Sequence, residues 1–323
     1  MQTAIVTGTA GFIGSTLSEK LLEKNFKVIG IDNFSDYYDI DIKNNNLKQC
    51  LVHENFSFIN EDILNIDLKP IFNDASYVFH ESGQPGVRES WGNSFHNYVH
   101  DNILVTQKLL EISKSCDSIK KIVIASSSSV YGNQNGKMNE EKSLTQPLSP
   151  YGVTKLASEN LALLYQKNYN LPISALRYFS VYGPRQRPDM AFCRFFNSIL
   201  NKKNISVFGD GTQERDFTFI DDIVSATILA AENDCGDSAI NIGGGHVISV
   251  KDVIKIMEDI VNSEISISFD EKQLGDVKRT EADISKANKL LNYKPKNDMR
   301  TSLQKEFEHI KKYSSLYSKA INS

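Results

Sequence analysis

Short apolar runs rich in β-branched residues recur through the first half of the chain and alternate with amphipathic stretches. The runs are TAIVTG (3–8), KVIGID (27–32), FSFINED (56–62), ASYVFH (75–80), KKIVIASSS (120–128) and PISALRYF (172–179). Patterns with helical spacing lie between most of them, for example at 15–24 and 102–115. Since strands that alternate with helices form parallel sheets covered on both faces, the pattern predicts a doubly wound α/β fold.

The regular alternation stops near residue 180. Beyond it the apolar runs become shorter and irregularly spaced, although a strand-like run returns at 240–245. We therefore predict a Rossmann-like main domain and a smaller α/β domain that binds substrate. The predicted boundaries are 1–178 with 219–246 returning to it for the main domain, 179–218 and 247–315 for the smaller domain, and 316–323 for a tail.

Composition narrows the class of protein. The 323 residues are 40% hydrophobic with a net charge of -4, which is typical of a globular protein and gives no electrostatic reason to bind nucleic acid or membrane. The four cysteines are far apart and lack CxxC spacing, so neither a metal site nor a disulfide framework is predicted. With no leader pattern and no apolar run of about 18 residues, we expect a cytoplasmic protein.

A glycine-rich turn follows the first predicted strand. Gly8, Gly11 and Gly14 form a GxxGxxG pattern that opens a helix. The first glycine permits a tight turn, the second lets a pyrophosphate approach the backbone, and the third allows close helix packing at an N-terminus that favours negative charge. Chance clustering in a turn is the alternative, but the placement favours a dinucleotide site that includes Phe12 and Ile13.

Two acidic residues follow later strands. Asp32 ends the second predicted strand about 20 residues after the glycines, where a carboxylate can accept adenosine ribose hydroxyls and repel a 2′-phosphate. Asn33 follows it rather than an arginine, so NAD is predicted over NADP. Asp62, with Ile63 beside it, is predicted to meet the adenine, although a helix N-cap explains Asp62 nearly as well.

A tyrosine and a lysine lie four positions apart in SPYGVTK. Pro150 favours a first helical turn, so Tyr151 and Lys155 share one face of a helix. A neighbouring ammonium group and a positive nicotinamide ring favour a phenolate, which makes Tyr151 a candidate proton shuttle. A surface pair is the alternative. The serines of ASSSSVYG (125–132) favour the first interpretation, because the carboxyl ends of parallel strands face the ligand crevice.

Together these motifs resemble the extended short-chain dehydrogenase/reductases, and more narrowly their nucleotide-sugar 4-epimerases. The resemblance covers nearly the whole chain, through TGTAGFIG, ASSSSVYG, SPYGVTK, RYFSVYGPRQRPD, FGDGTQERDFTFIDD, NIGGG and DISKANKLLNYKPK. It implies that Tyr151 takes the proton of the sugar 4-OH while hydride passes from C4 to bound NAD. It also implies that Lys155 holds the nicotinamide ribose and that Ser127 shares the 4-OH. The 4-keto sugar would then take hydride back on its other face.

The resemblance also helps to distinguish epimerisation from the other reactions of similar proteins. The similar 4,6-dehydratases place an Asp-Glu pair just before VYG and the similar decarboxylases keep a glutamate there, whereas this chain has Ser128 and Ser129. Without that acid, epimerisation is predicted over elimination. The runs at 83–98 and 184–192, together with Ser180, look most like the UDP-glucuronate 4-epimerases.

Substrate contacts follow from the same resemblance. For the sugar carboxylate it suggests the hydroxyls of Ser127, Ser128 and Ser180, with Ser129 close by, and Arg88 or Arg194 as counter-charge. A surface ion pair is the alternative for each arginine. For the UDP end it implies Arg215 and Arg187 at the pyrophosphate, Val207 and the backbone around Phe192 at uracil, Asp276 and Arg279 at the uridine ribose, and Asn102 orienting an active-site helix or the sugar phosphate.

Two further features bear on cofactor and partner. Glu81 and Ser82 stand where an alanine pair is more usual in similar proteins, and a carboxylate near cofactor phosphates weakens binding unless it points away. Helices predicted at about 95–115 and 150–168 carry apolar stripes that either face the sheet or, as in similar proteins, form a bundle between subunits. We predict a homodimer.

Rival functions remain open at this point. Within the enzyme class they are a UDP-glucose or UDP-N-acetylglucosamine 4-epimerase and then a UDP-glucuronate decarboxylase. Outside it, the fold could serve an NAD(P)-sensing regulator without catalysis. Such a regulator would be expected to have lost the Tyr/Lys pair, whereas Tyr151, Lys155 and Ser127 are all present.

Overall fold

The computed structural model describes residues 1–235 and 238–322, and the side chains of these residues up to 320. The strands are β1 (Thr3–Thr7), β2 (Lys27–Asp32), β3 (Phe56–Asn60), β4 (Tyr77–His80), β5 (Lys121–Ser127), β6 (Ile173–Tyr178), β7 (Val181–Tyr182), β8 (Ile205–Phe208), β9 (Glu214–Asp216), β10 (Thr218–Phe219), β11 (Ile240–Ile242), β12 (Val247–Ser249) and β13 (Ile267–Asp270). The helices are α1 (Phe12–Glu23), α2 (Ile40–Leu51), α3 (Lys69–Asn73), α4 (Phe95–Tyr98), α5 (Val105–Ser113), α6 (Pro150–Tyr169), α7 (Ala191–Leu200), α8 (Ile220–Glu232), α9 (Val250–Val261), α10 (Ser285–Leu291), α11 (Met299–Lys312) and α12 (Ser314–Asn322).

A seven-stranded parallel sheet forms the centre of the molecule, in the order β11-β6-β5-β4-β1-β2-β3. The six strands predicted from the apolar runs all lie in it, and the predicted doubly wound α/β fold is confirmed. The strand order reverses between β1 and β4, which is where ligands bind in sheets of this kind.

Burial explains why these runs become strands. The first six residues of β5 are all buried and four of the five residues of β1 are, because helices cover both faces of the sheet. Apolar side chains of α1 and α8 fill one side, and those of α5 and α6 fill the other. The core therefore fixes the carboxyl ends of the strands, where loops carry the polar residues.

Some predicted boundaries shift. The third predicted strand stops at Asn60, so Asp62 lies in the loop beyond it. The helix predicted at 15–24 already begins at Phe12, which places Gly14 inside its first turn. The helix predicted at 102–115 continues α4, with the π-helical turn Val99–Leu104 between α4 and α5. A π turn shifts the apolar pattern by about one residue, a shift too small to be recognised in a short amphipathic stretch.

The second half of the chain adds small sheets and helices beside the main sheet. β7 pairs with β10, β9 with β12, and β8 with β13, while β11 returns to the main sheet next to β6. The helix α12 covers most of the predicted tail, and its Tyr317 side chain is buried. The domain boundaries stay predictions; residues 236–237 and 323 within them lie outside the described part of the chain.

Candidate active site

A cavity of about 1550 Å³ opens along the carboxyl edge of the sheet. The predicted site residues that line it are Gly8, Gly11, Phe12, Ile13, Gly14, Asp32, Asn33, Asp62, Ile63, Arg88, Ser127, Ser128, Ser129, Tyr151, Lys155, Ser180, Arg187, Arg194, Val207 and Asp276. Four others lie outside its lining: Asn102, Phe192, Arg215 and Arg279. One cleft thus joins the glycine turn to the Tyr/Lys pair, two motifs far apart in sequence.

The glycine turn leaves room for a phosphate group. Gly8 has a φ of +67°, and a Cβ on Gly14 would lie 2.1 Å from the Gly8 carbonyl oxygen. Both positions therefore require glycine. Gly11 caps α1 without a side-chain hydrogen bond, so no capping side chain occupies the first-turn N–H groups, and residues 11–14 line the cavity. This local geometry fits the pyrophosphate of a dinucleotide.

Asp32 is held at the end of β2 by two backbone donors. Its Oδ2 accepts a hydrogen bond from the Ala10 N–H at 3.0 Å and its Oδ1 accepts one from the Phe34 N–H at 2.9 Å. Asn33 lies 3.5 Å from Asp62, whose Oδ1 accepts a bond from the Leu64 N–H. Asp62 therefore caps a turn and not the helix considered above, and it also lines the cavity; its contact with adenine stays a prediction.

Tyr151 and Lys155 extend from the first turns of α6. Ser149 caps this helix by accepting a hydrogen bond from the Gly152 N–H, and Pro150 occupies the first helical position. Lys155 is buried and donates from Nζ to the Ala125 carbonyl of β5 at 3.0 Å. The contact fixes the ammonium group at the cavity wall beside the end of that strand.

The serines of ASSSSVYG divide between two roles. Ser127 accepts a hydrogen bond from the Ser129 N–H, which starts a short 3-10 turn at the cavity. Ser126 instead donates to Glu159 at 2.6 Å. Glu159 forms a bidentate ion pair with Arg177, at 2.9 and 2.6 Å, and both side chains are buried. Sequence patterns did not indicate this pair, because single charged residues in an apolar strand or helix carry no pairing signal.

Three arginines gather around Phe208 and Asp276. Arg88 lies 4.1 Å over the Phe208 ring and 3.5 Å from Asp276, and Arg194 lies 5.3 Å from the same ring. Burial and the nearby Arg88 charge lower the pKa of Arg194. Burial also lowers the pKa of Arg215, and the Asp276 charge offsets this lowering only in part. Asp270 and Asp189 act on the pKa of Arg194 in the opposite direction, but cations crowded at a cavity still favour an anionic ligand.

Arg187 differs from these three. It makes two hydrogen bonds to Asp189, at 3.0 and 2.9 Å, which together with neighbouring charges keep its pKa raised despite burial. Arg185, two residues earlier, has a φ of +72° and pairs with Glu19 of α1 at 2.6 Å. The segment that carries Arg187 is thereby joined to the helix that follows the glycine turn.

The four predicted residues outside the cavity lining have other surroundings. Asn102 donates to the Gln84 carbonyl and to Thr154 of α6. Phe192 is buried against Tyr182 and Phe217. Arg215 donates to the Glu214 carbonyl, and Arg279 pairs with the carboxylates of Glu214 and Glu281. Their substrate roles stay predictions.

Glu81 lies on the cavity wall directly after β4. The Tyr178 hydroxyl of β6 lies 2.9 Å from Glu81 Oε1. Burial raises the pKa of Glu81 to about 7, against the lowering effects of Tyr178 and Lys155. His80, the preceding residue, is buried between Thr7 and Thr106, and burial lowers its pKa to about 3, so its ring is neutral.

Among residues 1–235 and 238–322, no group of three or more His, Cys, Asp or Glu side chains is placed to hold a metal ion. None of the helices in these ranges is both long and apolar enough to cross a bilayer.

Comparison with known proteins gives consistent matches over most of the chain. Residues 5–306 match the family described as GDP-mannose 4,6 dehydratase. An uncharacterized UDP-glucose epimerase of Bacillus subtilis, YtcB, is 45% identical over 97% of this chain and 98% of its own length. A UDP-glucuronate 4-epimerase of Thermodesulfobacterium geofontis is 43% identical over 93% of this chain and 94% of its own. The crystal structure of the Bacillus cereus UDP-glucuronic acid 4-epimerase with UDP-glucuronic acid and NAD is 45% identical, with a TM-score of 0.93 over 97% of this chain and 100% of that one.

Proposed function

Since this chain belongs to the GDP-mannose 4,6 dehydratase family, we propose that it is an NAD-dependent UDP-sugar 4-epimerase that converts UDP-glucuronate to UDP-galacturonate. One observation carries the proposal: the cavity that holds the glycine turn also holds Tyr151, Lys155 and Ser127. The similar proteins from T. geofontis and B. cereus bear the name of this activity.

The reaction needs a hydride acceptor that is regenerated in each turnover, and NAD supplies it when bound. In the proposed mechanism Tyr151, as phenolate, accepts the proton of the sugar 4-OH while the C4 hydrogen leaves as hydride. Lys155, fixed by the Ala125 carbonyl, supplies positive charge beside the phenolate and the cofactor ribose. Ser127 hydrogen-bonds the 4-OH. After the 4-keto sugar turns over, the same groups act in reverse on its other face.

Epimerisation is favoured over elimination by the side chains at the end of β5. Ser128 and Ser129 occupy the turn where elimination would need an acid, and both line the cavity. A hydroxyl is too weak an acid and base at neutral pH to remove a proton from C5 and water from C6. The family name therefore does not define the reaction of this chain.

The anionic parts of the substrate have matching partners. The proposal places the diphosphate near the arginines around Phe208 and Asp276, where burial lowers the pKa of Arg194 and Arg215 and Arg88 lies close enough for its charge to lower the pKa of both further. It places the sugar carboxylate at the hydroxyls near the end of β5 and at Ser180, all of which line the same cavity.

A neutral sugar is the second candidate, favoured by the name of the similar B. subtilis protein, a UDP-glucose epimerase. A proton NMR time course separates the two. Purified protein is incubated without added cofactor with UDP-glucuronate, then with UDP-glucose and UDP-N-acetylglucosamine. UDP-galacturonate as the main product supports the proposal; turnover of the neutral sugars alone would reject the acid specificity and leave the Tyr151 chemistry in place. A Tyr151→Phe variant with full turnover would overturn the mechanism.

We further propose that the protein is a homodimer that works in the cytoplasm. Support for the dimer comes from apolar side chains that stand exposed on the helices of one side: Leu104, Val153, Leu164 and Tyr169 are 47–54% exposed. A Leu164→Glu variant should sediment as a monomer at concentrations at which the unmodified protein sediments as a dimer; equal sedimentation would reject this surface. The cytoplasm is favoured by the four cysteines, which are buried free thiols, and cell fractionation tests it.

A further inference from the structure

Glu81 holds a buried carboxylate at the wall of the cavity. Glu81 lines the cavity, yet its Oε2 atom is shut off from solvent and has no hydrogen-bond partner among the described residues. A buried carboxylate oxygen without a donor costs free energy, so such a group is retained where a ligand or a proton can compensate it. The proposed mechanism does not use this residue.

The strand order shows which half of the cofactor Glu81 faces. The glycine turn follows β1, and Asp32 and Asp62 follow β2 and β3, so the adenosine half belongs to that side. Glu81 follows β4 and reaches across β5 to Tyr178 of β6, in the opposite direction. Its carboxylate therefore points along the sheet away from the glycine turn, on the face covered by α8, opposite the face covered by α6 with Tyr151 and Lys155.

The hydrogen bonds around Glu81 suit both of its protonation states. The Tyr178 hydroxyl lies 2.9 Å from Glu81 and 2.7 Å from the Thr227 hydroxyl, which in turn lies 2.8 Å from the Ile223 carbonyl. When Glu81 is ionised, Tyr178 donates to it. When Glu81 is protonated, it can donate to Tyr178, which donates to Thr227, which donates to Ile223. Each of these hydroxyls has an acceptor in either state.

The charged and titratable groups that act on Glu81 come from several elements. Lys155 of α6 contributes a positive charge, and Tyr178 of β6 contributes the hydrogen bond. The helix α8 contributes the Thr227 hydroxyl, and the glycine turn contributes the Gly8 backbone, which touches the Glu81 segment. His80, the residue directly before Glu81 in the chain, is neutral. With burial as the dominant effect, the pKa of Glu81 is raised to about 7.

We propose that Glu81 compensates the charge of the nicotinamide ring: it is ionised beside the oxidised, cationic ring and takes up one proton from solvent when the ring becomes neutral on reduction. This inference rests on the proposed use of NAD. In the first half-reaction the sugar loses the 4-OH proton to Tyr151 and hydride to the cofactor, and the ring loses its positive charge. A proton taken from water goes to Glu81, so the ring and Glu81 together stay neutral, while Tyr151 passes separately from phenolate to phenol.

The inference predicts a cofactor preference that depends on pH. An ionised Glu81 attracts the cationic ring and has little effect on the neutral one, so the preference for NAD+ over NADH should rise as pH rises through about 7. A single proton can change the ratio by at most about tenfold per pH unit. A carboxylate near a cationic ring within a protein is expected to change the ratio of bound NAD+ to bound NADH by about tenfold or more over the whole titration.

Equilibrium dialysis against an equal mixture of NAD+ and NADH, without sugar, measures this preference directly. The bound ratio is determined by chromatography from about pH 6 to about pH 8.5, which brackets the titration. The comparison uses Tyr151→Phe as the reference protein and Tyr151→Phe/Glu81→Gln as the test, so that the two proteins differ only at Glu81. Glutamine keeps the size of the side chain and removes its charge.

The reference should show a rise of about tenfold in bound NAD+ over NADH, and the Glu81→Gln protein should stay within about twofold across the range. Adding Tyr178→Phe to the reference should move the midpoint to higher pH, since the lost hydrogen bond lowered the pKa of Glu81. Equal rises with and without Glu81 would overturn this inference alone. Failure to bind either cofactor in the folded reference protein would overturn the proposed function together with it.

Discussion

Replacing Glu159 by glutamine should cost this protein a large part of its stability. Glu159 on α6 is 1% exposed and pairs with Arg177 of β6, which is 6% exposed. The substitution leaves the guanidinium buried without a counter-charge, and Arg177 Nη1 already lacks a hydrogen-bond partner among the described residues. The stacking of Arg177 over the Tyr131 ring, at 4.6 Å, would remain to compensate it in part.

The expected loss is about 3–5 kcal/mol in the free energy of unfolding, which is typical for a buried pair with one partner removed. Equilibrium urea unfolding followed by fluorescence measures it. The matched control is Glu23→Gln, which breaks the pair with Lys20 at 62% and 54% side-chain exposure and should cost less than about 1 kcal/mol.

A double variant, Glu159→Met with Arg177→Met, sharpens the test. Because it removes both charges and fills the space with apolar atoms, it should lose less stability than Glu159→Gln alone. The reasoning would be refuted if Glu159→Gln cost no more than the exposed control, or if the double variant were the less stable of the two.

Three further predictions concern other parts of the molecule. Gly14→Ala should lower unfolding stability by about 2 kcal/mol or more and abolish dinucleotide binding, because its Cβ would overlap Gly8; Gly136→Ala, in open surroundings, should cost only about 1 kcal/mol of backbone strain. Arg194→Ala should lower kcat/KM for UDP-glucuronate and UDP-glucose by similar factors of about tenfold, because both carry the diphosphate; a loss confined to UDP-glucuronate would reject the diphosphate role and place Arg194 at the sugar carboxylate. His80, with its pKa lowered to about 3, binds a proton more readily when unfolded, so stability should be full above about pH 6.5 and fall by about 1.4 kcal/mol per pH unit below it. Urea unfolding at several pH values should show a shallower fall for His80→Gln.

Sequence patterns predicted the sheet well because both its faces are covered. A strand such as β5 must then be apolar along its length, and this leaves a run that is visible without any other information. The glycine turn was visible for a similar reason: Gly8 and Gly14 occupy positions where a Cβ would meet backbone atoms. Their spacing reflects local geometry alone.

The remaining parts of the site depend on contacts between distant segments. Ser149 as the cap of α6, the Glu159–Arg177 pair and the bond between Tyr178 and Glu81 each involve common residue types. For the Glu159–Arg177 and Glu81–Tyr178 contacts, the sequence around one residue does not indicate where its partner lies. The partners can be identified only when the order of the strands in the sheet is known. Glu81 illustrates the difference: its charge was evident from sequence, but the direction in which it points depends on β6.

The position of β11 has a consequence for how the protein is made. β6 ends at Tyr178, but the strand that covers its outer edge begins only at Ile240, after the segments that form β7 to β10. At about 5–20 residues per second, a ribosome takes roughly 3–12 s to add that stretch. During this interval the newly made β6 is an uncovered edge strand, which can pair with other chains. Translation pauses or truncations between these two strands should therefore promote aggregation of the nascent chain.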